Sequence, residues 1–237
     1  MRKVILTCFA FFAAIIAFSQ DKVINDANVE KRSVSGFHAI DVEDGIDLFI
    51  TQGSEEALAV SANNLKYRDR IKTVVKNGVL RIYFDDEGFN FFRDRRLRAY
   101  VSVKSLDEIN ASGGSDVDIK QGFSGTKLRL SLSGGGDFYG KVTVTNLDVD
   151  LSGGSDAQIS GTATTLYVEA SGGSDFKGYE LAADNAKVNV SGGSDAQVTV
   201  NKELTADASG GGDVMYRGNG TVRNVSASGG SSVTKRG

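Results

Sequence analysis

Apolar and polar residues alternate through most of the second half of the chain. Leu128, Leu130 and Leu132 precede Ser133, with Arg129 and Ser131 between them. Leu147, Val149 and Leu151 precede Ser152, and Leu166, Val168 and Ala170 precede Ser171, separated by Asp148, Asp150, Tyr167 and Glu169. A period of two with one apolar face predicts half-buried strands. The alternating runs are punctuated by versions of one pentapeptide. SGGSD occurs at 112, 152, 171 and 191, SGGGD at 133 and 209, and SGGSS at 228, so the leading serines step by 21, 19, 19, 20, 18 and 19 residues. Beyond each motif the alternation resumes, as at Val117 and Ile119, Ala157 and Ile159, and Ala196 and Val198.

Counting straight through the motif places its first glycine and fourth residue on the inward face, and its serine and aspartate outward. On this reading both glycines serve backbone shape: they clear the inside of a corner and supply φ freedom that other residues lack. Each repeat is then a strand, a glycine corner, a second strand and a variable segment such as GTATT at 161–165 or YELAADN at 179–185. One such unit cannot bury its apolar face, whereas stacked copies form a continuous column. The fold class predicted is all-β: a parallel β-helix, or solenoid, of about seven coils and roughly 34 Å at ~4.8 Å per coil. A β-propeller blade needs about 40 residues and four strands, which a 19-residue unit cannot supply.

The front of the chain is strand-like but carries no repeat. GFHAIDVEDGIDLFITQG at 36–53, ALAVSA at 57–62, IKTVVKNGVLRIYF at 71–84 and LRAYVSV at 97–103 all read as strands, with Asn77-Gly78 as a hairpin turn. These features predict three segments: 1–19, a signal peptide; 20–105, an N-terminal β section capping the solenoid; and 106–237, the glycine-rich repeats. The signal rests on Arg2 and Lys3, an apolar run from Val4 to Phe18, and small residues at Ala17 and Ser19 before Gln20. A retained anchor is the alternative, although the run is short for a span of roughly 20 residues. Cys8, the only cysteine, lies early in that run, which argues against a lipidation site. After cleavage no cysteine is left for disulfide or thiol chemistry. The expected location is periplasmic, cell-surface or secreted, with no membrane span in the mature chain.

Charge narrows the partners. With 27 basic and 30 acidic residues and a net charge of −3, the chain has no basic surplus for nucleic acid or an anionic membrane. The 29 glycines, in step with ordered alternation and without any proline, indicate tight bends rather than a flexible linker.

The sharpest candidate chemistry is a column of aspartates. Asp116, Asp137, Asp156, Asp175, Asp195 and Asp213 share one repeat phase and should stack on one outer edge. Unit charges that close repel by about 1 kcal/mol in water, so something must offset the column. Two readings stay open: calcium held by stacked carboxylates, or each carboxylate accepting backbone N–H groups at its own corner. No cofactor or metal is otherwise called for. Catalysis finds little support. His38 is the sole histidine and reads as a strand residue, and Lys141, Lys177 and Lys187 stand in different repeat phases, so no acid–base pair emerges. The loop at 85–96 supplies Phe89, Phe91, Phe92, Arg93, Arg95 and Arg96, residue types that anchor interfaces. The last copy has Ser232 in the aspartate position, with Lys235 and Arg236 just beyond, a basic edge expected to discourage strand pairing and keep the protein monomeric.

RSVSGFHAIDVEDGIDLFITQG at the front, the NGVLRIYF hairpin, then LDEINASGGSD and its successors resemble the putative auto-transporter adhesin, head GIN domain family of exported Bacteroidetes proteins, over roughly residues 30–235. The resemblance implies a β-helical fold, an extracytoplasmic location and no established enzymatic activity. It carries no catalytic residues, and family members often show Ser-Gly-Ser-Gly-Asp where this chain has Ser-Gly-Gly-Ser-Asp. The function expected is a non-catalytic adhesion or interaction module meeting a protein or glycan at the cell surface. The alternative is a β-helix that binds or cleaves carbohydrate.

Overall fold

The computed structural model describes residues 26, 28–86 and 95–237; the expected signal peptide at 1–19 lies outside them. Strands appear where the alternation predicts them. The front of the chain forms β1 (Glu30–Arg32), β2 (Ala39–Val42), β3 (Asp47–Gln52) and β4 (Ala57–Ser61), then a one-turn helix α1 (Leu65–Arg68). It continues with β5 (Ile71–Lys76), β6 (Val79–Phe84), β7 (Arg98–Val103) and β8 (Glu108–Ala111). The repeats form β9 (Val117–Ser133), β10 (Asp137–Ser152), β11 (Asp156–Ala170), β12 (Asp175–Val190) and β13 (Asp195–Ala208). The chain closes with β14 (Asp213–Arg217), β15 (Thr221–Ala227) and β16 (Ser232–Lys235). From β9 to β13 each long strand pairs in parallel with the next, and β14, β15 and β16 extend the stack. This is a parallel β-solenoid of about seven turns.

The unequal repeat steps are absorbed mainly at the bends. Between β9 and β10 the register jumps from Ile119↔Gly140 to Phe123↔Val142, so the two extra residues of the 21-residue step sit at the bend opposite the glycine corner. Register shifts at Gln158/Gly161 and Gly178/Ala182 fall at that same bend. The residues that follow the corner keep register from coil to coil, which holds the outward aspartate column in line.

The front of the chain, though it spells no repeat, also winds into the solenoid. β2 lies in parallel between β6 and β8, and β3 lies in parallel between β7 and β9. Residues 39–52 thus form the coil next to the first repeat, and 79–103 the coil beyond it. The chain winds the inner of these coils first, runs outward to the end, and returns through 79–103. The end itself is closed by antiparallel strands: β5 on β6, β4 on β7, and β1 on β4. This closure buries Leu58, Val60 and Ile71. His38 precedes β2 rather than lying within it, half exposed and 3.6 Å from Asp107.

The core is a set of inward columns. Phe138, Ala157, Phe176 and Ala196 stack in register, large and small in turn, all fully buried. The neighbouring inward column reads Gly140, Ile159, Gly178 and Val198. Each phenylalanine ring tucks under the glycine two residues on: a Cβ on Gly140 would meet the Phe138 ring at 2.7 Å, and one on Gly178 would lie closer still to the Phe176 ring. Phe-x-Gly and Ala-x-Ile coils thus keep the cross-section evenly filled, as close packing demands.

Candidate functional site

The glycine corner is built by three hydrogen-bonded ladders running along the solenoid axis. The first is backbone to backbone. In the last four copies the N–H of the second glycine donates to the carbonyl of the first glycine one coil back, as from Gly173 to Gly153 at 2.9 Å and from Gly193 to Gly172 at 2.8 Å. The two glycines are not equivalent. The first is exposed rather than inward, so the alternation breaks inside the motif, contrary to the straight count. Its φ is positive in every copy (85° at Gly172), and a Cβ there would stand 2.8 Å from the Gly153 carbonyl oxygen. Gly173, the second, has no positive φ, and its Cβ would meet only ordinary contact at 3.7 Å.

The second ladder is inward. Ser115, Ser155, Ser174 and Ser194, the fourth motif residues, are fully buried, as the alternation predicts. The Ser155 and Ser174 hydroxyls donate to the carbonyls of Ser152 and Ser171, closing their own turns at 3.0 Å. Ser194 Oγ accepts the N–H of Ser174 in the preceding coil at 3.1 Å, and Ser115 Oγ accepts that of Ile46 at the same distance.

The third ladder is the aspartate column, which the structure does bring together. Asp137, Asp156 and Asp175 are paired residue for residue, with Asp195 next in line. The carboxylates accept backbone N–H groups, but from the next coil rather than their own corner. Oδ1 of Asp116, Asp156 and Asp195 takes the N–H of Asp137, Asp175 and Asp213 at 2.9, 3.2 and 2.9 Å. Oδ1 of Asp213 takes both the N–H and the hydroxyl of Ser232 at 2.8 Å, so the serine ends the column as a donor. A hydrogen bond to a charged acceptor contributes about 1.5–3 kcal/mol, enough to outweigh a neighbour repulsion of about 1 kcal/mol in solvent.

The second carboxylate oxygens meet side chains. Lys177 Nζ lies 2.6 Å from Asp156 Oδ2 and 3.7 Å from Asp175, and the hydrogen bond to Asp156 raises its pKa. The Tyr139 hydroxyl donates to Asp137 Oδ2 at 3.1 Å, which raises the pKa of that phenol. Tyr139, Gln158 and Lys177 stand in one outward column beside the aspartates. Among the described residues, no three His, Cys, Asp or Glu side chains are grouped to hold a metal ion.

Sequence reasoning missed the start of the column. Leu48 pairs with Val117, which puts Asp47 in line with Asp116, and Arg98 pairs with Asp47 one coil further out. The signal was Glu43-Asp44-Gly45-Ile46-Asp47, a corner without the pentapeptide. Asp44 and Gly45 have φ of 66° and 72°, close to Gly113 and Gly114 at 66° and 78°. Burial raises the pKa of Asp47, Asp116 adds to the rise, and Arg98 opposes it. Of the aromatic and arginine loop, Phe89, Phe91, Phe92 and Arg93 lie outside the described residues. Arg95 sits over the Phe84 ring at 4.5 Å, and Arg96 is exposed at a φ of 43°.

The fold recurs in solved structures. An adhesin, so titled as putative, from Bacteroides fragilis has a TM-score of 0.79 at 20% identity, covering 88% of this chain and 96% of its own. A structure titled putative lipid binding protein from Parabacteroides distasonis has a TM-score of 0.66 at 19% identity, covering 88% and 98%. A putative adhesin from Parabacteroides merdae reaches 0.65 at 16%, covering 89% and 96%. These likenesses show the fold. No curated protein matches the sequence. Among the described residues, no helix is long and apolar enough to cross a membrane. The family model described as "putative auto-transporter adhesin, head GIN domain" matches residues 36–220, and the chain belongs to that family.

Proposed function

We infer that this protein is an exported, non-catalytic adhesion or interaction module, carried out of the cytoplasm by residues 1–19 and presenting the outer faces of its solenoid to a protein or glycan. One observation carries the reading. The aspartate edge, its best candidate for chemistry, spends its carboxylates on holding successive coils together, with an oxygen of each of Asp116, Asp156, Asp195 and Asp213 bound to the coil that follows. Lys177 stands between Asp156 and Asp175 on an open face, already bonded to Asp156, where it cannot serve as a free base.

Carbohydrate binding is the second reading, and Tyr139 favours it: the residue is 45% exposed beside Gln158 and Lys177. The test is a binding screen of residues 20–237 against glycan arrays and bacterial and host cell fractions, with a parallel assay for release of reducing ends from polysaccharides. Saturable binding without release supports the module. Turnover of any polysaccharide overturns it. Because the aspartates are engaged by amides, millimolar calcium should leave the melting temperature unchanged. A calcium site at a hundred times its dissociation constant would add about 2.7 kcal/mol, and a chelator-reversible rise would replace the ladder reading with a metal one.

A further inference from the structure

The outermost layer of the closed end is half filled. β1 lies on β4, while β5 has β6 on one edge and, among the described residues, no strand on the other. Beside that free edge is an open depression of about 490 Å³, reached by Arg32, Val34, Leu58, Thr73 and Val75. Its floor is apolar, since Leu58 belongs to the core and Val34 and Val75 pack against it.

Arg32 is the anomaly. Its Nη1 lies 3.3 Å from a Glu30 carboxylate oxygen, but its Nε and Nη2 are shut away from solvent with no hydrogen-bond partner among the described residues. Those nitrogens carry a parallel N–H pair of the kind that grips both oxygens of a carboxylate. Leaving buried donors of a charged group unmatched costs stability, and proteins break such rules mainly where function needs it. Lysines on an edge strand discourage stray pairing, which accounts for Lys72 and Lys76. It does not account for a guanidinium with an unmatched fork. Glu56, the acid at the rim, is already spent on the N–H of Gly36 at 2.7 Å.

We propose that this depression takes an extended acidic segment of a partner protein. The segment adds as a strand to the free edge of β5 and sets a glutamate or aspartate carboxylate on Nε and Nη2 of Arg32. Strand addition supplies affinity through the backbone, and the carboxylate supplies specificity. Lys76 on β5 gives the edge complementary charge, and Lys72, 3.8 Å from Asp85, adds to it. A turn of the Arg32 side chain away from Glu30 opens the fork to the segment. The proposal rests on the interaction-module reading and adds the partner's chemistry.

Fluorescence anisotropy on residues 20–237 tests it, using a dye-labelled, end-capped decapeptide of alternating valine and glutamate, with glutamine and lysine counterparts. The glutamate peptide should bind saturably, with the glutamine peptide at least tenfold weaker and the lysine peptide silent. Arg32→Gln should weaken the glutamate peptide at least tenfold and Arg32→Lys nearly as much, while Lys235→Ser at the far end changes nothing. The Arg32→Gln protein should melt at or above the wild-type temperature, because it loses an unmatched fork. Equal binding of the glutamate and glutamine peptides, no loss in Arg32→Gln, no binding by the wild type, or a lower melting temperature in Arg32→Gln each overturns the proposal. Peptide binding that fails while glycan or cell-fraction binding persists removes this proposal and leaves the module reading intact.

Discussion

The coil at 39–52 and the coil that opens at Ser133 and closes at Ser152 have the same shape and opposite spelling. The second starts from a full SGGGD corner; the first has Glu43-Asp44-Gly45-Ile46-Asp47. Both hold two consecutive residues at positive φ: Asp44 and Gly45 in one, Gly134 and Gly135 in the other. Both end in an aspartate aligned with the carboxylate column. The comparison separates what a corner requires from what the repeat happens to spell. A corner requires at least one residue that tolerates the left-handed region, and asparagine and aspartate can do so as well as glycine. It also needs a hydroxyl to satisfy its buried N–H, and that hydroxyl comes from a neighbouring coil: Ser115 serves Ile46 as Ser194 serves Ser174. A coil can therefore lose its own serine and still be closed by the next.

The largest test of this distinction uses the two glycines of one corner. Gly172→Ala should lose about 3 kcal/mol, from left-handed strain of about 1–2 kcal/mol and a backbone clash of about 1–3 kcal/mol. Gly173→Ala, with no positive φ and only ordinary contact for the new methyl, should stay within about 0.5 kcal/mol of wild type. Urea denaturation of both variants measures the contrast. Equal losses would mean that the corner needs both glycines for shape, and the lesson drawn from 39–52 would fail.

An intermediate effect is expected in the core. Gly178→Ala should cost about 2 kcal/mol, since the added methyl drives into the Phe176 ring. Phe176→Leu in the same molecule should recover part of that loss, a coupling readable from a double-mutant cycle of melts. Strict additivity would show that the ring and the glycine do not share the space. The equivalent pair in the 39–52 coil, Leu48 and Ile50, contains no glycine to make room and should show no such coupling.

The smallest effect is a pH dependence where the two regions join. Asp47 has its pKa raised by burial first and by Asp116 second. The folded state therefore holds the proton more tightly than the unfolded chain. The stability this contributes is present below the ordinary carboxylate range and lost as pH rises through the raised folded value. Asp47→Asn should thus gain on wild type between acid and neutral pH, with the gap closing toward acid, as followed by urea midpoints across pH 3 to 7. A gap that widens toward acid would mean that Arg98 and the ladder favour the charged form.

The alternation and the 19-residue period were enough to read the solenoid, its core face and the line of six aspartates. Side-chain direction in a strand depends only on parity, and equal spacing puts equal positions in register. The same counting failed inside the motif, where the first glycine turns outward, because parity assumes extended backbone and a left-handed residue breaks it. It also missed Asp47 and Arg98, whose place in the column depends on pairing across 69 and 51 residues of chain rather than on any local pattern.

What the sequence determined by itself was therefore the repeating unit: a strand, a left-handed corner and an acid at fixed phase, each dictated by short-range sterics and burial. Tertiary structure alone decided three other things. It decided that the carboxylates bind the next coil's amides and not their own, because a column places a neighbour's N–H about 4.8 Å away along the axis. It decided that the coil at 39–52 lies inside the later coil at 79–103, and that antiparallel strands close the end. And it decided that Arg32 is left with an unmatched fork beside a free strand edge, since which donors lack partners is settled only when every other group has found one.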